Sequence, residues 1–448
     1  MSERVTCVSG GRLVRSSGVS SGDLWISGEK FVDPASLSDE QRQSAGRVDA
    51  SGQLVLPGSI DPQVHFREPG NEHKEDLASG SRAAIAGGVT TFFEMPNTKP
   101  ATTNRAAVED KFRRAAGRAF ADHAFFVGAT AENADELGEL ELLSGCAGVK
   151  VFMGSSTGNL LIPDDETLER VLRSGTRRVT VHSEDEHLLE RNYKALGRNE
   201  PVTRHPEVRS VEAAVRSTTR LLNLAEKTGR PVHVLHVSTG DEVDLMVERD
   251  LGDLVTFELT PNHLFLAAPD CYEQHGTFAQ MNPPVRDAGH QGRLRRAAAE
   301  REAACVGSDH APHTAEEKAR PYPQAPSGIP GVQTTLGLFL TAVRDGWLQL
   351  EDLPRLLHDG PIRVYGLLDK DAFAYGADAD LTLVDPAVTV PLPDNWLLSR
   401  ARTNPFVGRP LAGWPSAVYL RGEPAFANGE TIGEPRGRPL RFADVPEA

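Results

Sequence analysis

The chain has 448 residues, of which 63 are acidic and 48 are basic, so its formal net charge is -15 at pH 7. This charge disfavours general binding to nucleic acid or to an anionic membrane, because both need basic surface patches. With 39% hydrophobic residues, the chain can bury a large core and hold more than one structural unit.

The N-terminus and the cysteines are typical of a cytoplasmic protein. Residues 1–6 lack the basic and apolar regions of a secretory signal, and no stretch approaches the roughly 18 apolar residues of a membrane span. The cysteines are far apart without CxxC spacing, so we expect buried free thiols and no disulfide framework or zinc knuckle. They are Cys7, Cys146, Cys271 and Cys305.

Residues 1–53 contain short apolar runs broken by Gly and Ser pairs, as at 12–14 and 23–26. This pattern is typical of small antiparallel strands. It returns after residue 360, as at 380–384 and 416–420. We therefore expect residues 1–53 and 361–448 to build one small β-sandwich domain from both chain ends, followed by a polar tail.

Between residues 54 and 360, strand-like runs alternate with helical stretches, which indicates an α/β fold with a parallel sheet. The clearest helix is predicted over 207–227, behind Pro206, from its i, i+3/i+4 apolar stripe. Eight strands with intervening helices match a (β/α)8 TIM-like barrel, whose active site lies at the carboxyl ends of the strands. The predicted strands are 53–56, 90–94, 123–127, 148–153, 178–182, 232–236, 254–259 and 303–307.

Polar residues with ligand chemistry follow the first predicted strand and interrupt the fourth. Strand alternation places Gln63, His65 and Arg67 on one face. Lys150 lies inside an apolar strand, where a buried ammonium is costly unless it is paired or chemically changed. Either Lys150 extends to the barrel mouth, or it is carbamylated and its new carboxylate bridges two metal ions.

Histidines and an aspartate stand at the ends of the later strands. His182 ends the fifth strand, and His236 ends the sixth, whereas His233, three residues earlier, is expected to be packed. Converging imidazoles, a carboxylate and a buried lysine indicate a site for a hard or borderline divalent ion, zinc above all. The strand-end histidines are His65, His182, His236, His263, His310 and His313, and the carboxylate is Asp309.

These motifs together resemble the dihydroorotases of the amidohydrolase superfamily. They include His-Phe-Arg-Glu-Pro-Gly at 65–70, Met-Pro-Asn-Thr at 95–98 and Asp-His-Ala-Pro-His at 309–313. Further matching segments are 87–91, 148–158, 182–185, 236–239, 282–286 and 376–381. The resemblance covers nearly the whole chain, and the combination of motifs is specific.

The resemblance implies a binuclear zinc centre. One ion would be held by His65, carbamylated Lys150 and Asp309, and the other by Lys150, His182 and His236. Asp309 would be both a metal ligand and the general base that passes a proton to the leaving nitrogen. The implied reaction is the reversible closure of N-carbamoyl-L-aspartate to dihydroorotate.

The resemblance also implies a binding site for the substrate carboxylate. Arg67, Asn97 and His313 match the residues that hold it, with Asn282 as a further contact. Local cations are needed because the protein is acidic overall and the substrate is an anion. Hydantoinases and allantoinases share the metal residues, but their substrates lack this carboxylate, so the pair Arg67 and Asn97 favours a dihydroorotase.

One position departs from the family pattern, which has His-x-His where this chain has Gln63-Val64-His65. An amide oxygen is a weaker zinc ligand than imidazole, so one metal should be weakly held or absent. Alternatively, Gln63 hydrogen-bonds Asp309 or a metal-bound water. The departure keeps two other functions open: a noncatalytic scaffold for aspartate transcarbamoylase, or a related cyclic amidase.

The resemblance also implies that the protein is a homodimer. Separately, segment 154–158, which follows Lys150, is expected to be a flexible loop near the site.

Overall fold

A computed structural model describes residues 4–155, 160–197 and 200–444. In these ranges the strands form sheets of four, eight, seven and two strands. The strands are β1 (Val5–Ser9), β2 (Arg12–Arg15), β3 (Gly18–Ser21), β4 (Leu24–Ser27), β5 (Lys30–Val32), β6 (Gly46–Asp49), β7 (Leu54–Pro57), β8 (Ser59–Val64), β9 (Val89–Glu94), β10 (Asp122–Gly128), β11 (Cys146–Phe152), β12 (Val179–His182), β13 (Val232–Val234), β14 (Val255–Leu259), β15 (Cys305–Val306), β16 (Leu381–Val384), β17 (Thr389–Pro391), β18 (Pro410–Ala412), β19 (Pro415–Leu420), β20 (Glu423–Ala427) and β21 (Glu430–Thr431).

The α-helices are α1 (Asp39–Ser44), α2 (Leu77–Ala86), α3 (Arg105–Ala115), α4 (Leu137–Leu140), α5 (Asp165–Arg173), α6 (Glu186–Ala195), α7 (His205–Val208), α8 (Val211–Thr228), α9 (Gly240–Arg249), α10 (Pro261–Phe265), α11 (Asp270–His275), α12 (Ala288–Ala299), α13 (Ala315–Lys318), α14 (Thr335–Arg344), α15 (Asp352–Pro354) and α16 (Gly360–Tyr365). A π-helical turn, Arg355–Asp359, joins the last two. Short 3-10 turns lie at Pro34–Ser36, Ala134–Glu136, Val202–Arg204, Gly252–Leu254, Gly276–Ala279 and Asp394–Trp396. Of the helices in the described ranges, none is both long enough and apolar enough to cross a membrane.

The eight-stranded sheet of the described chain is the predicted barrel. Strands β8 to β15 lie side by side in chain order, and each pairs in parallel with the next. The first and last strands meet where Val64 forms a parallel bridge with His310. There, the backbone N–H of His65 donates to the carbonyl of His310 at 2.8 Å. The closed parallel sheet confirms the (β/α)8 prediction.

The burial pattern explains why these segments form barrel strands and helices. Strands β9, β10 and β11 are buried at every position, because helices cover the outside of a parallel barrel and side chains fill its inside. Helix α8 buries one face that includes Leu221 and Leu222. The Ser210 side chain caps its N-terminus, and Gly229 ends it in the left-handed conformation at φ 71°.

Both chain ends contribute to a separate β unit, as the sequence predicts. Its four-stranded sheet has the order β5-β4-β1-β6, and its seven-stranded sheet has the order β21-β20-β19-β16-β7-β2-β3. In the larger sheet the N-terminal β7 pairs with the C-terminal β16. Val8 and Ile26 of one sheet share a buried core with Val55 and Leu381 of the other. The β-sandwich prediction is therefore confirmed.

The prediction that 53–56 is the first barrel strand is wrong. Strand β7 pairs with β2 and β16 in the β unit, and the first barrel strand is β8, which pairs with β9. A uniformly apolar run marks β7, whereas β8 contains Asp61, Pro62 and Gln63. The sequence pattern does not reveal β8 as a strand, because its inward positions carry polar residues.

The domain limits predicted after residues 53 and 360 stay predictions.

The helix predicted over 207–227 begins later, at Val211. Pro206 lies in the short helix α7, which ends at Arg209 with φ -92° and ψ 72°. The Arg209 side chain is buried and bonds Glu184 at the barrel mouth. We attribute the break between the two helices to this inward turn.

A buried ionic cluster joins the β unit to the barrel. Lys370 Nζ lies 2.7 Å from Asp122 Oδ2, 2.9 Å from Asp378 Oδ2 and 2.7 Å from Asp380 Oδ2. Arg421 also pairs with Asp122. Burial alone would raise the pKa of Asp122, but Lys370 and Arg421 lower it to about 2. Asp122 begins barrel strand β10, so the cluster fixes the β unit against the end of the barrel away from the carboxyl ends of the strands.

Replacing Lys370 by methionine should lower the free energy of unfolding by about 3–5 kcal/mol, because it leaves buried carboxylates without their shared cation. Urea denaturation at pH 7 measures this loss. Lys30→Met is the control, since Lys30 pairs with Asp369 and Asp378 but its side chain is 36% exposed. It should cost less than about 1 kcal/mol. Equal losses in the two variants would contradict the special role of Lys370.

Candidate active site

Side chains from several barrel strands converge on one small cavity at the carboxyl ends of those strands. In a (β/α)8 barrel this is the end where active sites lie. The cavity is lined by Gln63, His65, Arg67, Lys150, Phe152, His182, His236, Asn282, Asp309, Ala311, Ser327 and Gly328. Most of the site residues predicted from the sequence are in this set. The other two, Asn97 and His313, contact His65 and Arg67 respectively.

Two histidines face each other across the cavity. His182 Nδ1 lies 3.0 Å from His236 Nε2, and the two rings are nearly perpendicular, at 79°. Burial lowers the pKa of both imidazoles, so both are neutral near pH 7. Zn–N bonds of about 2.0–2.1 Å place two ligand nitrogens roughly 3 Å apart. The pair therefore fits a shared divalent ion.

A carboxylate orients His182. Glu184 Oε2 accepts from His182 Nε2 at 2.9 Å, which leaves Nδ1 facing the cavity. Burial alone would raise the pKa of Glu184, but the Arg209 guanidinium holds it well below its ordinary value. Arg209 Nε lies 3.1 and 3.0 Å from the two oxygens of that carboxylate. A carboxylate behind an imidazole is the usual support of a metal-binding histidine.

His65 and Asp309 form a second pair of facing donor atoms. His65 Nδ1 lies 2.8 Å from Asn97 Oδ1, so this nitrogen carries the proton. Burial lowers the pKa of His65, and the ring is neutral. Its Nε2 lone pair then faces Asp309 Oδ1 at 3.2 Å. Two electron-rich atoms at this separation repel each other unless a cation lies between them, so this pair also fits a metal ion.

Gln63 contacts the same carboxylate through its amide nitrogen. Gln63 Nε2 donates to Asp309 Oδ1 at 3.3 Å. Its Oε1 is buried and has no hydrogen-bond partner within residues 4–155, 160–197 and 200–444. The bond to Asp309 agrees with one of the two predicted roles for Gln63. Its role as a metal ligand stays a prediction.

Lys150 is a buried amine in a strand interior. It is 1% exposed, and its Nζ has no hydrogen-bond partner in the described part of the chain. The ammonium position lies 4.5 Å from the centre of the Phe152 ring. Burial lowers the pKa of Lys150 to about 7, so much of the amine is uncharged at neutral pH. The neutral amine is the form that reacts with carbon dioxide, which fits the predicted carbamylation.

Three residues of this site adopt left-handed backbone conformations. Arg67 has φ 66°, His236 has φ 38° and Asp309 has φ 47°. Non-glycine residues rarely adopt such angles, because Cβ then approaches the backbone closely. Each of the three lies just beyond a barrel strand and lines the cavity. The local strain is typical of residues held in place for function.

A buried cation lies beside these donor atoms. Arg67 is 4% exposed; its Nε donates to Pro312 O at 3.1 Å, and its Nη2 lies 3.2 Å from His313 Nε2. No carboxylate among the described residues forms an ion pair with this guanidinium. Burial lowers the pKa of Arg67 to about 10, which leaves it charged at neutral pH. A buried guanidinium without an acidic partner is a binding site for an anion.

A larger cavity of about 1100 Å³ shares Arg67 with the small one. Asn97 also lines it, as do the cations Lys74 and Lys99 and the acids Glu132 and Glu136. With Arg67, these side chains carry a balance of one positive charge, whereas the whole chain has a net charge of -15. Arg67, which lines both cavities, is the cation that would receive a small anion.

Asn282 lines the small cavity, but its amide is engaged with protein groups. The amide contacts His205, Met281 O, Ser327 Oγ and Arg209. His205 is buried and bonds Met281 O at 2.9 Å. Asn282 therefore supports the cavity wall, and its contact with substrate stays a prediction.

Besides His313, two strand-end histidines do not line the cavity. His263, in α10, bonds Thr260 Oγ1 and Pro283 O, while His310 Nδ1 accepts from the backbone of residues 331 and 332. His233 is packed as expected, with Nδ1 2.8 Å from Thr256 Oγ1. The predicted loop 154–158 includes residues 156–158, which lie outside the described residues.

Two other groups of metal-binding residue types occur in the described chain. Asp122, Asp378 and Asp380 converge at the ionic cluster, but the Lys370 ammonium already occupies their centre. The second group lies on β13 to β15, earlier along the strands than the cavity, and consists of His233, Glu258 and Cys305. Neither group includes a predicted ligand.

Comparison with known proteins identifies the family. A family model described as dihydro-orotase-like matches residues 52–153. The dihydroorotase of Halobacterium salinarum is 36% identical over 398 residues, which cover 88% of this chain and 91% of that protein. The chain belongs to the dihydroorotase-like amidohydrolases. This confirms the resemblance seen in the motifs, and with it the assignment to the cyclic amidohydrolases, a family of metal-dependent enzymes.

Other members of the superfamily are also similar over nearly the whole chain. The allantoinase of Deinococcus radiodurans is 35% identical over 447 residues, covering 96% of this chain and 97% of its own. The L-hydantoinase of Arthrobacter aurescens superposes with a TM-score of 0.90 at 27% identity, covering 98% of this chain and all of its own. Because relatives with different names share the fold, the substrate must be argued from the site.

Proposed function

We propose that the chain is a dihydroorotase, which interconverts N-carbamoyl-L-aspartate and (S)-dihydroorotate in pyrimidine biosynthesis. The observation that carries the proposal is the buried Arg67 beside the metal-ligand atoms, with no acidic partner in the described ranges. Dihydroorotate carries a carboxylate on its ring, whereas hydantoin and allantoin do not. The dihydroorotase relatives support the same substrate.

We infer that the cavity holds two zinc ions, with one ion as the alternative that Gln63 leaves open. His65, Lys150 and Asp309 would hold one ion, and Lys150 would share the other with His182 and His236. Bound there, the ions would polarise the ring carbonyl and lower the pKa of a coordinated water. Neutral imidazoles and the unpaired Lys150 amine support this set, and carbamylation would give Lys150 the carboxylate it needs.

The chain's own residues would then bind the substrate and move one proton. Arg67 and His313 would hold the substrate carboxylate, and Asn97 would complete that pocket while it fixes the tautomer of His65. The Asp309 carboxylate would accept the proton of the attacking water and deliver it to the ring nitrogen as the C–N bond breaks. The products are a new carboxyl group and the ureido group. Ionisation of the carboxyl group releases one proton to solvent, so atoms and charge balance.

The testing experiment combines metal analysis with a substrate comparison. Protein purified without chelator is analysed for zinc per chain and assayed with dihydroorotate, hydantoin and allantoin. The proposal predicts bound zinc and hydrolysis of dihydroorotate in clear preference to the two substrates without a carboxylate. Faster hydrolysis of allantoin or hydantoin would instead make the chain a related cyclic amidase.

The variant Gln63→His tests the departure from the family motif. Imidazole binds zinc more tightly than an amide oxygen does, so the variant should hold the ion of His65 and Asp309 at least about tenfold more tightly. Titration of the metal-free protein with zinc measures this affinity directly. Gln63→Asn, whose shorter amide keeps the chemistry but retracts the group, is the control. Identical zinc affinity in Gln63→His and the wild type would show that Gln63 does not limit metal binding.

The Gln63 amide bond to Asp309 also supports a second candidate, a noncatalytic scaffold for aspartate transcarbamoylase. In such a chain the Gln63 amide would hydrogen-bond the Asp309 carboxylate in place of the missing metal ion. No zinc and no turnover, even after zinc and bicarbonate are added, would favour it. The association with aspartate transcarbamoylase, a homodimer and a cytoplasmic location are proposals that follow from the family and the sequence.

A further inference from the structure

His313 lies between two cations, and this arrangement restricts the position of its proton. The ring is 1% exposed. Arg67 Nη2 lies 3.2 Å from its Nε2, and Lys74 Nζ lies 3.1 Å from its Nδ1. Two acceptors are also in reach: Ser327 O, 3.1 Å from Nε2, and Glu317 Oε2, 3.3 Å from Nδ1. Both ring nitrogens therefore have one donor and one acceptor as neighbours.

The ring is neutral, so only one of its nitrogens carries a proton. Burial lowers the pKa of His313 far below its ordinary value, and the charges of Arg67, Lys74 and Lys318 lower it further. With the proton on Nε2, that nitrogen donates to Ser327 O, and Nδ1 accepts from Lys74 Nζ. With the proton on Nδ1, that nitrogen donates to Glu317, and Nε2 accepts from Arg67. The two tautomers present opposite chemistry to the cavity.

The Nε2 edge is the side of the ring that faces the cavity. A Cβ atom added to Gly328, which lines the cavity, would lie 3.0 Å from His313 Cδ2, the carbon bonded to Nε2. Arg67, on the same side, also lines the cavity. A carboxylate bound by Arg67 needs a second donor. Only the Nε2–H tautomer can act as one, by sharing with the anion the hydrogen that it otherwise donates to Ser327 O. The Nδ1–H tautomer would instead direct a lone pair at the anion.

We propose that Lys74 is a positioning residue that holds His313 in the Nε2–H tautomer and so completes a two-donor site for the substrate carboxylate. This inference rests on the proposed function. It deepens that function because it gives a role to Lys74, which is neither a proposed metal ligand nor a proposed substrate contact. Lys74 acts in two ways. Its ammonium donates to Nδ1, and it pairs with Glu317 Oε2 at 3.1 Å, which otherwise would accept a proton from Nδ1.

The variant Lys74→Met removes the donor while it keeps most of the side-chain volume. His313 should then move its proton to Nδ1, toward Glu317. The KM for dihydroorotate should rise about tenfold, the loss expected for one hydrogen bond to a charged group. The kcat should change much less, because the carboxylate is held equally in the ground state and the transition state. Lys74→Arg, which keeps a cationic donor, should restore most of the affinity.

Nitrogen-15 NMR of protein with labelled histidines shows which tautomer of His313 is present, and it needs no substrate. The His313 signals are assigned by their loss in His313→Gln, and coupling of each ring nitrogen to carbon-bound protons distinguishes the two tautomers. The wild type should show a protonated Nε2, and Lys74→Met a protonated Nδ1. A protonated Nδ1 in the wild type, or an unchanged tautomer in Lys74→Met, would overturn the proposal.

Lys99→Met is the matched control for general electrostatics. Lys99 lines the same large cavity and is exposed, and none of its contacts in the described structure is with His313. Its loss should change KM less than about twofold, as expected for a screened surface charge. An equal rise in KM in both variants would overturn the proposal in favour of simple charge attraction. If the wild type does not hydrolyse dihydroorotate, the proposed function fails, and the NMR result still decides the tautomer.

Discussion

Replacing Asp309 by asparagine should lower kcat for dihydroorotate hydrolysis by about a thousandfold, the scale of a lost general base. The amide has nearly the same shape and keeps an oxygen toward Gln63 Nε2, which now donates to Asp309 Oδ1 at 3.3 Å. It cannot accept the proton of the attacking water. Steady-state kinetics at pH 8, with zinc content measured on the same samples, separate this loss from a loss of metal.

A matched surface carboxylate controls for a general effect of removing a negative charge. An unchanged kcat in Asp309→Asn that retains its zinc would contradict the assignment of Asp309 as the base. Asp241→Asn is the control, since the Asp241 side chain is 57% exposed and lies on helix α9. This variant should retain the wild-type rate.

The barrel could be predicted because most of its strands are buried on both faces and are continuously apolar. Strands β9 to β12 lie within a few residues of their predicted positions. The first strand could not, because β8 contains Asp61 and Gln63, which hold the barrel together and face the site. Asp61 Oδ1 accepts from the backbone N–H groups of Ser308 and Gln63. In this strand, polar residues needed by the site and by the closure of the barrel stand where an apolar pattern would otherwise mark a strand.

Most of the predicted ligands could be found because they stand at the ends of strands, whereas Lys150 was found from its charge inside an apolar run. Parallel strands in a barrel bring their carboxyl ends together, so residues far apart in the sequence meet without any local signal. His65 and Asp309, for example, are 244 residues apart and 3.2 Å apart in space. The position of a strand end was therefore enough to group them.

The residues that support the site were harder to find. Glu184 had a signal, because it follows His182 by two residues at a strand end, but its partner Arg209 lies 25 residues further along. Lys74 had none, since it contacts His313 across 239 residues. These residues act through another side chain and not on substrate or metal. No strand end or motif marks the roles of Arg209 and Lys74, so only the folded arrangement reveals them.

Replacing Arg67 by methionine should lower kcat/KM for dihydroorotate by about a hundredfold or more, the cost of removing one partner of a buried charged pair. Arg67 is not a metal ligand, so the zinc content should stay at the wild-type value. Arg67→Lys keeps the charge but loses the planar, two-donor geometry, so its activity should lie between those of the wild type and the methionine variant. Kinetics with dihydroorotate and zinc analysis of each variant measure both properties.

The control for Arg67 is a substrate without a carboxylate. Hydrolysis of hydantoin, however slow, should be unaffected or improved in Arg67→Met, because removing an unpaired buried cation leaves the metal ligands in place. A parallel loss with both substrates would mean that Arg67 supports the fold of the site and does not select an anion. That outcome would remove the main reason to prefer dihydroorotate over the uncharged cyclic amides. A selective loss would show that one buried guanidinium selects the anionic substrate.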